Sequence, residues 1–279
     1  HYDPPSLDAF EMDATQIFGT TGASFRVEVK NGVITYSAGQ SWAQVVEVYS
    51  FGKWNGLDVI YFTASGTNWA ILLGQNQKPV PVPAELLGLF GTYTLNGQTV
   101  TVAFDTSTDV AAVTVKVGDV AATEIAVSSR SLPFDSQFVI SFKSGETVYY
   151  VLPDVVNGKG AFLADEATFK GITRFNLASY AELRIYLTKA ADGSLIYAYE
   201  IKGEKVTPAA VPGKANIFSV TYGENVTEYY AYFKDAAAKQ YMAVPADALE
   251  LFGTFTATNN KSVTVAIGKN EKNEICYTV

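Results

Sequence analysis

Pro83-Ala84-Glu85-Leu86-Leu87-Gly88-Leu89-Phe90-Gly91-Thr92-Tyr93-Thr94 occurs a second time, lightly altered, as Pro245-Ala246-Asp247-Ala248-Leu249-Glu250-Leu251-Phe252-Gly253-Thr254-Phe255-Thr256. Downstream, Val100-Thr101-Val102-Ala103 is matched by Val263-Thr264-Val265-Ala266, one residue further on. Such self-similarity at a fixed period is the mark of a modular chain. Ile17-Phe18-Gly19-Thr20 and Phe169-Lys170-Gly171-Ile172-Thr173 are weaker copies. They place the anchoring Phe at 18, 90, 169 and 252, a period of 72 to 83 residues.

A second half-motif follows the first. Val59-Ile60-Tyr61-Phe62 turns at Ser65-Gly66 into Trp69-Ala70-Ile71-Leu72-Leu73. Val139-Ile140-Ser141-Phe142 turns at Ser144-Gly145 into Tyr149-Tyr150-Val151-Leu152, and Ile217-Phe218-Ser219-Val220 turns near Gly223 into Tyr229-Tyr230-Ala231-Tyr232. Each reads as an apolar β-hairpin whose Gly supplies the positive φ of a tight turn. Thr99 to Phe104 and Val113 to Val117 alternate with the period of two that a half-buried strand requires. Asn96-Gly97, Gly118-Asp119 and Asp192-Gly193 are turn signals. Short helical turns are expected at Pro83 to Leu89 and Pro245 to Leu251, with Pro at the tolerated first turn. A longer leading helix is expected from Leu7 to Phe18.

The expected fold is all-β with short helical turns: a tandem repeat of small antiparallel β-sandwich or open-barrel modules, each of five or six strands. About three and a half copies fit. One phasing gives a capping half-unit with its leading helix at 1–55 and modules at 56–134, 135–211 and 212–279, with Pro133 and Pro208 to Gly213 as linkers. The alternative phasing is 1–89, 90–168, 169–251 and a partial 252–279. The opening His1-Tyr2-Asp3-Pro4-Pro5 has neither a basic nor an apolar leader region, as expected of a mature or excised piece of a longer chain.

Composition narrows the chemistry. Net charge is −8 over 279 residues, which argues against a phosphate-tracking nucleic-acid binder. No apolar run reaches the length of a membrane helix, so no membrane insertion is expected. The single cysteine, Cys276, permits no internal disulfide, and the only histidine is His1. Catalytic triads and structural zinc sites need more of both. No cofactor is expected.

What remains is carboxylates and aromatic rings. Asp58, Asp105, Asp109, Asp154, Asp165 and Glu166 stand mostly in turns and before helical turns, where carboxylates cap backbone N–H groups. Asp105-Thr106-Ser107-Thr108-Asp109 gathers oxygen ligands for a weak Ca²⁺ candidate at Asp105 and Asp109. In the last copy Gly268-Lys269-Asn270 abolishes that cluster. Trp42, Trp54 and Trp69 all fall in the first unit and form the candidate ligand site, a stacking platform for a glycan. In Tyr149-Tyr150 and Tyr229-Tyr230-Ala231-Tyr232, adjacent rings must face opposite sides of a sheet, so an outer tyrosine stripe is available for partner contacts.

The turn-rich, Val/Thr/Tyr-rich, acidic and cysteine-poor modules resemble in style those of large bacterial cell-surface and secreted repeat proteins. That resemblance implies an extracellular or cell-surface, bacterial, non-catalytic protein: an adhesin, stalk or surface-layer component. Its partner would be a protein or glycan on a surface, or neighbouring copies of the same chain. The alternatives are a carbohydrate-binding, nutrient-capture protein using the Trp site, an apolar-ligand carrier, and a carboxylate glycoside hydrolase.

Overall fold

The computed structural model describes residues 10–13, 24–30, 33–38, 43–46, 49–64, 67–73, 79–105, 112–131, 136–236 and 240–279. Side chains are described from Ser50 onward except at 64, 67, 73, 79–81, 129–131, 136 and 137. The chain divides into two compact units, His1–Phe169 and Lys170–Val279. The described strands form seven small antiparallel meanders, none closed on itself.

In the first unit, sheet I holds Phe10–Asp13, Ser24–Lys30, Val33–Ala38 and Ala43–Val46. Sheet II holds Tyr49–Trp54, Leu57–Ala64, Thr67–Leu73 and Pro79–Pro83. Sheet III holds Gly91–Leu95, Gln98–Asp105, Ala112–Val117 and Val120–Ala121. Sheet IV holds Thr123–Ser131, Ser136–Ser144, Thr147–Pro153 and Ala161–Asp165. In the second unit, sheet V holds Thr173–Asn176, Glu182–Lys189, Leu195–Ile201 and Glu204–Val206. Sheet VI holds Ala209–Ala210, Ile217–Tyr222, Val226–Tyr232 and Tyr241–Val244, and sheet VII holds Gly253–Thr256, Ser262–Lys269 and Ile275–Thr278.

Each repeat therefore contributes two sheets, one from the Phe-Gly-Thr half and one from the hairpin half. The sheets of each pair meet in the same two places. Ala43–Val46 lies against Leu57–Ala64, and Phe10–Asp13 against Pro79–Pro83. In the next pair, Ala112–Val117 lies against Thr123–Ser131 and Gly91–Leu95 against Ala161–Asp165. In the third, Glu204–Val206 lies against Ile217–Tyr222 and Thr173–Asn176 against Tyr241–Val244. Helical turns at Ala84–Leu89, Glu166–Phe169 and Ala246–Leu251 end the three repeats. Divisions after residues 89, 168 and 251 fall between sheets, whereas divisions after 55, 134 and 211 fall inside sheets II, IV and VI.

Alternation decides which face is buried. Along Gln98–Asp105, Val100, Val102 and Phe104 are buried while Thr99 and Thr101 are exposed. Their register partners Val117, Val115 and Val113 share that face. The two-residue turn before this strand has Asn96 at φ 50° and Gly97 at φ 77°. This left-handed pair matches the twist of a hairpin and admits little but Asn and Gly. In the first unit one core joins Val59, Leu72 and Val82 of sheet II, Leu86 and Leu89 of the helical turn, and the inward faces of sheets III and IV. In the second unit, sheet VI is buried on both faces. Val220, Tyr222 and Tyr230 pack with sheet V, while Ile217, Ala231 and Val244 pack with Phe252 and Ile267. A strand covered on both sides reads as a continuous apolar run, which is why Tyr229 to Tyr232 shows no polar alternation.

Two expectations are corrected. The leading helix over Leu7 to Phe18 is, at Phe10–Asp13, a strand registered from Phe10↔Val27 to Asp13↔Ser24. Each complete pair has eight strands among the described residues, not five or six. The additional strands are short edge pieces such as Val120–Ala121, too brief for periodicity to register.

Candidate binding groove

Trp54 and Trp69 do not share one platform. Trp42 lies outside the described residues. Trp54 pairs with Leu57, and Leu57 shares a face with Val59, the face turned to the first-unit core. Trp54 accordingly sets its ring edge-on to Phe90, centroids 5.6 Å apart. Trp69 pairs with Phe62, an even-numbered residue on the same strand, so it projects from the opposite face of sheet II. Side chains alternate strictly along a strand, and no common ligand can lie across both rings.

Three of the candidate carboxylates, Asp58, Asp154 and Asp165, hold structure together. Asp58 pairs with Lys53 at 3.1 Å. Buried Asp154 accepts from the backbone N–H and the side-chain amide of Asn157, at 3.0 and 2.9 Å. Asp165 accepts from the N–H of Thr168 at 2.7 Å and caps the helical turn. Glu166 stands in the first turn of that helix. Asp105 ends its strand opposite Ala112, and its partner in the proposed Ca²⁺ loop, Asp109, lies outside the described residues. Cys276 is half-buried on the last strand.

A different constellation appears in the second unit. Between sheets V and VI runs a half-open groove of about 640 Å³, within the roughly 300–1,000 Å³ range of small-ligand sites. Tyr197 and Tyr199 reach it from the third strand of sheet V. Phe218, Tyr230, Tyr232 and Tyr241 reach it from sheet VI. Registers explain the convergence: Phe218 pairs with Tyr230 and Tyr232 pairs with Tyr241, so all four share one face. Among the described residues no carboxylate, carboxamide, guanidinium or imidazole lines the groove; Thr188, Thr207 and Lys205 are its other polar residues there.

The rings are ordered against one another. Tyr241 is sandwiched between Phe175 and Tyr232, at 5.1 and 4.7 Å with planes within 18° and 20° of parallel. Tyr230 stacks on Phe218 at 5.7 Å and meets Phe175 edge-on at 5.5 Å. Faces are thus largely occupied by other rings, and the groove is offered edges and hydroxyl groups. Among the described residues the hydroxyls of Tyr199, Tyr230, Tyr232 and Tyr241 make no hydrogen bond, yet none is sealed from solvent. Burial, and then the neighbouring phenols, push the pKa values of Tyr199, Tyr230 and Tyr241 upward; burial alone raises that of Tyr232. All four stay protonated donors through the neutral range. Tyr197 is held differently, its ring resting on the backbone of Gly171.

The sister pair of sheets lacks this lining. Where the third strand of sheet V turns Tyr197, Tyr199 and Ile201 inward, that of sheet III turns Val113, Val115 and Val117. Phe218 and Tyr230 stand where sheet IV has the register pair Ile140 and Val151. Tyr232 and Tyr241 stand where it has Pro153 and Ala161. Aliphatic residues complete the same sandwich, with Val115, Ile140 and Val151 almost fully buried, so the fold does not itself demand tyrosine. Sequence reading reached Tyr230 and Tyr232 through the doublet pattern. It missed Tyr197 and Tyr199, whose signal is the alternation Tyr197-Ala198-Tyr199, and Phe218 and Tyr241, which only strand register brings in.

No protein-family model, curated protein or solved structure matches this chain.

Proposed function

We propose that this chain is a non-catalytic β-repeat protein of an extracellular or cell surface, bacterial in origin, acting as an adhesin. The sandwich modules set distance, and the groove between sheets V and VI holds the partner. The observation that carries this reading is the contrast between sister modules at matching positions, which hold Val113, Val115, Ile140, Val151 and Ala161 in one copy and Tyr197, Tyr199, Phe218, Tyr230 and Tyr241 in the other. A residue set that departs from the repeat is the natural place for a copy-specific role. The non-catalytic reading is supported by Asp58, Asp154 and Asp165, which are engaged in an ion pair, a turn and a helix cap. Antibody labelling of source cells tests the location. Staining of intact cells is the expected outcome; staining only after permeabilisation would reject a surface role.

A further inference from the structure

We infer that the groove between sheets V and VI is the docking site for a proline-rich segment of a partner protein, bound in the polyproline II conformation. The inference rests on the adhesin reading and names the chemistry of its partner. Four phenol hydroxyls, those of Tyr199, Tyr230, Tyr232 and Tyr241, have no hydrogen-bond partner among the described residues and belong to side chains that line the groove. The ligand must satisfy them while covering apolar ring edges. A proline run does both, because each residue presents a carbonyl acceptor and an apolar ring and carries no N–H that needs an acceptor. Among the described residues the groove has no carboxylate or carboxamide to serve such an N–H.

A pyranose fits less well. Sugars stack on a bare ring face, and here Tyr241 is covered on both faces and Tyr230 lies on Phe218. Among the described lining residues there is no planar bidentate partner for neighbouring sugar hydroxyls. A polyproline helix is extended and solvated before binding, so little conformational entropy is lost when it enters an aromatic-lined groove. Among the described residues the lining carries one charge, Lys205, which suits an acidic residue flanking the prolines.

Calorimetric titration of the whole chain with an acetylated, amidated decaproline peptide tests the assignment, with cellohexaose titrated in parallel. Saturable decaproline binding is expected. The double variant Tyr232→Phe/Tyr241→Phe keeps both rings and their stacking while deleting two donors, and should weaken binding about tenfold or more. Tyr277→Phe, on sheet VII, should leave it unchanged. Absence of saturable decaproline binding overturns the inference, as does binding that the double variant leaves intact. Cellohexaose binding that the double variant abolishes, with decaproline inert, overturns the peptide assignment and keeps the groove as a site. Cell labelling judges the adhesin reading independently.

Discussion

At Gly171 a methyl group would collide with the ring and hydroxyl of Tyr197. The backbone there is buried and φ is not left-handed, so the requirement is for space. Gly171→Ala should force Tyr197 out of its place and cost about 1–3 kcal/mol, the usual range for overpacking. A lowered melting temperature measured by calorimetry would show it. In sequence this glycine reads as a worn copy of the Phe-Gly-Thr motif, and nothing local announces the tyrosine, which arrives from a strand more than twenty residues later. Glu228 is a second such residue. It is a buried carboxylate that accepts from the N–H of Ser179 at 2.8 Å and the hydroxyl of Tyr222 at 3.0 Å. Alternation predicts that its position faces inward, but the partner on the loop before sheet V's second strand is 49 residues away. Glu228→Ala strands both donors, and urea denaturation should register a loss of about 2 kcal/mol.

The elements were legible in proportion to their length and regularity. Hairpins with Asn-Gly or Gly turns and the strands beside them declare themselves through period-two burial, and the helical turns after Pro83 and Pro245 follow from proline's place at a first turn. Apolar residues recur from Leu7 to Phe18 at helix-like intervals, yet Phe10–Asp13 is a strand at the edge of Ser24–Lys30. Backbone hydrogen bonding to a neighbour outweighs so weak a periodicity. The turn Ala84–Leu89 packs Leu86 and Leu89, both almost fully buried, among sheets II, III and IV. Leu86→Ala should cost about 3 kcal/mol through lost burial and the cavity left behind. Leu251→Ala, at an exposed position of the matching turn, should change urea stability by less than about 0.5 kcal/mol. Equal effects would show that the two turns are not used as their burial indicates.

For the molecule as a whole, the concentration of tyrosine makes stability sensitive to alkali. Tyr93 is pushed up to about 12 by burial, and Tyr199, Tyr230, Tyr232 and Tyr241 are raised as well. In the unfolded chain these phenols release their protons near 10.0. Above that pH the unfolded state binds fewer protons than the folded state, so stability falls as pH rises. The contribution is complete below pH 10 and is lost progressively as pH climbs through the folded values. The urea midpoint should therefore hold level up to about pH 9 as far as these groups are concerned, then drop steeply. Phenolate absorbance should rise in two stages, exposed tyrosines first and the groove tyrosines together with unfolding. A single smooth titration centred near 10 would show that the groove hydroxyls are as well solvated as those on the surface.

By itself the sequence determined that the chain is repeated, all-β and built of hairpins, because period and turn chemistry are local properties written in neighbouring residues. It also determined that Tyr230 and Tyr232 share a face, since alternation along one strand fixes that without any partner. Only the tertiary structure decided that Trp54 and Trp69 point apart across sheet II. It likewise decided that Tyr199 of one sheet and Tyr241 of another line the same groove, because strand register and the pairing of sheets join residues that no local pattern connects.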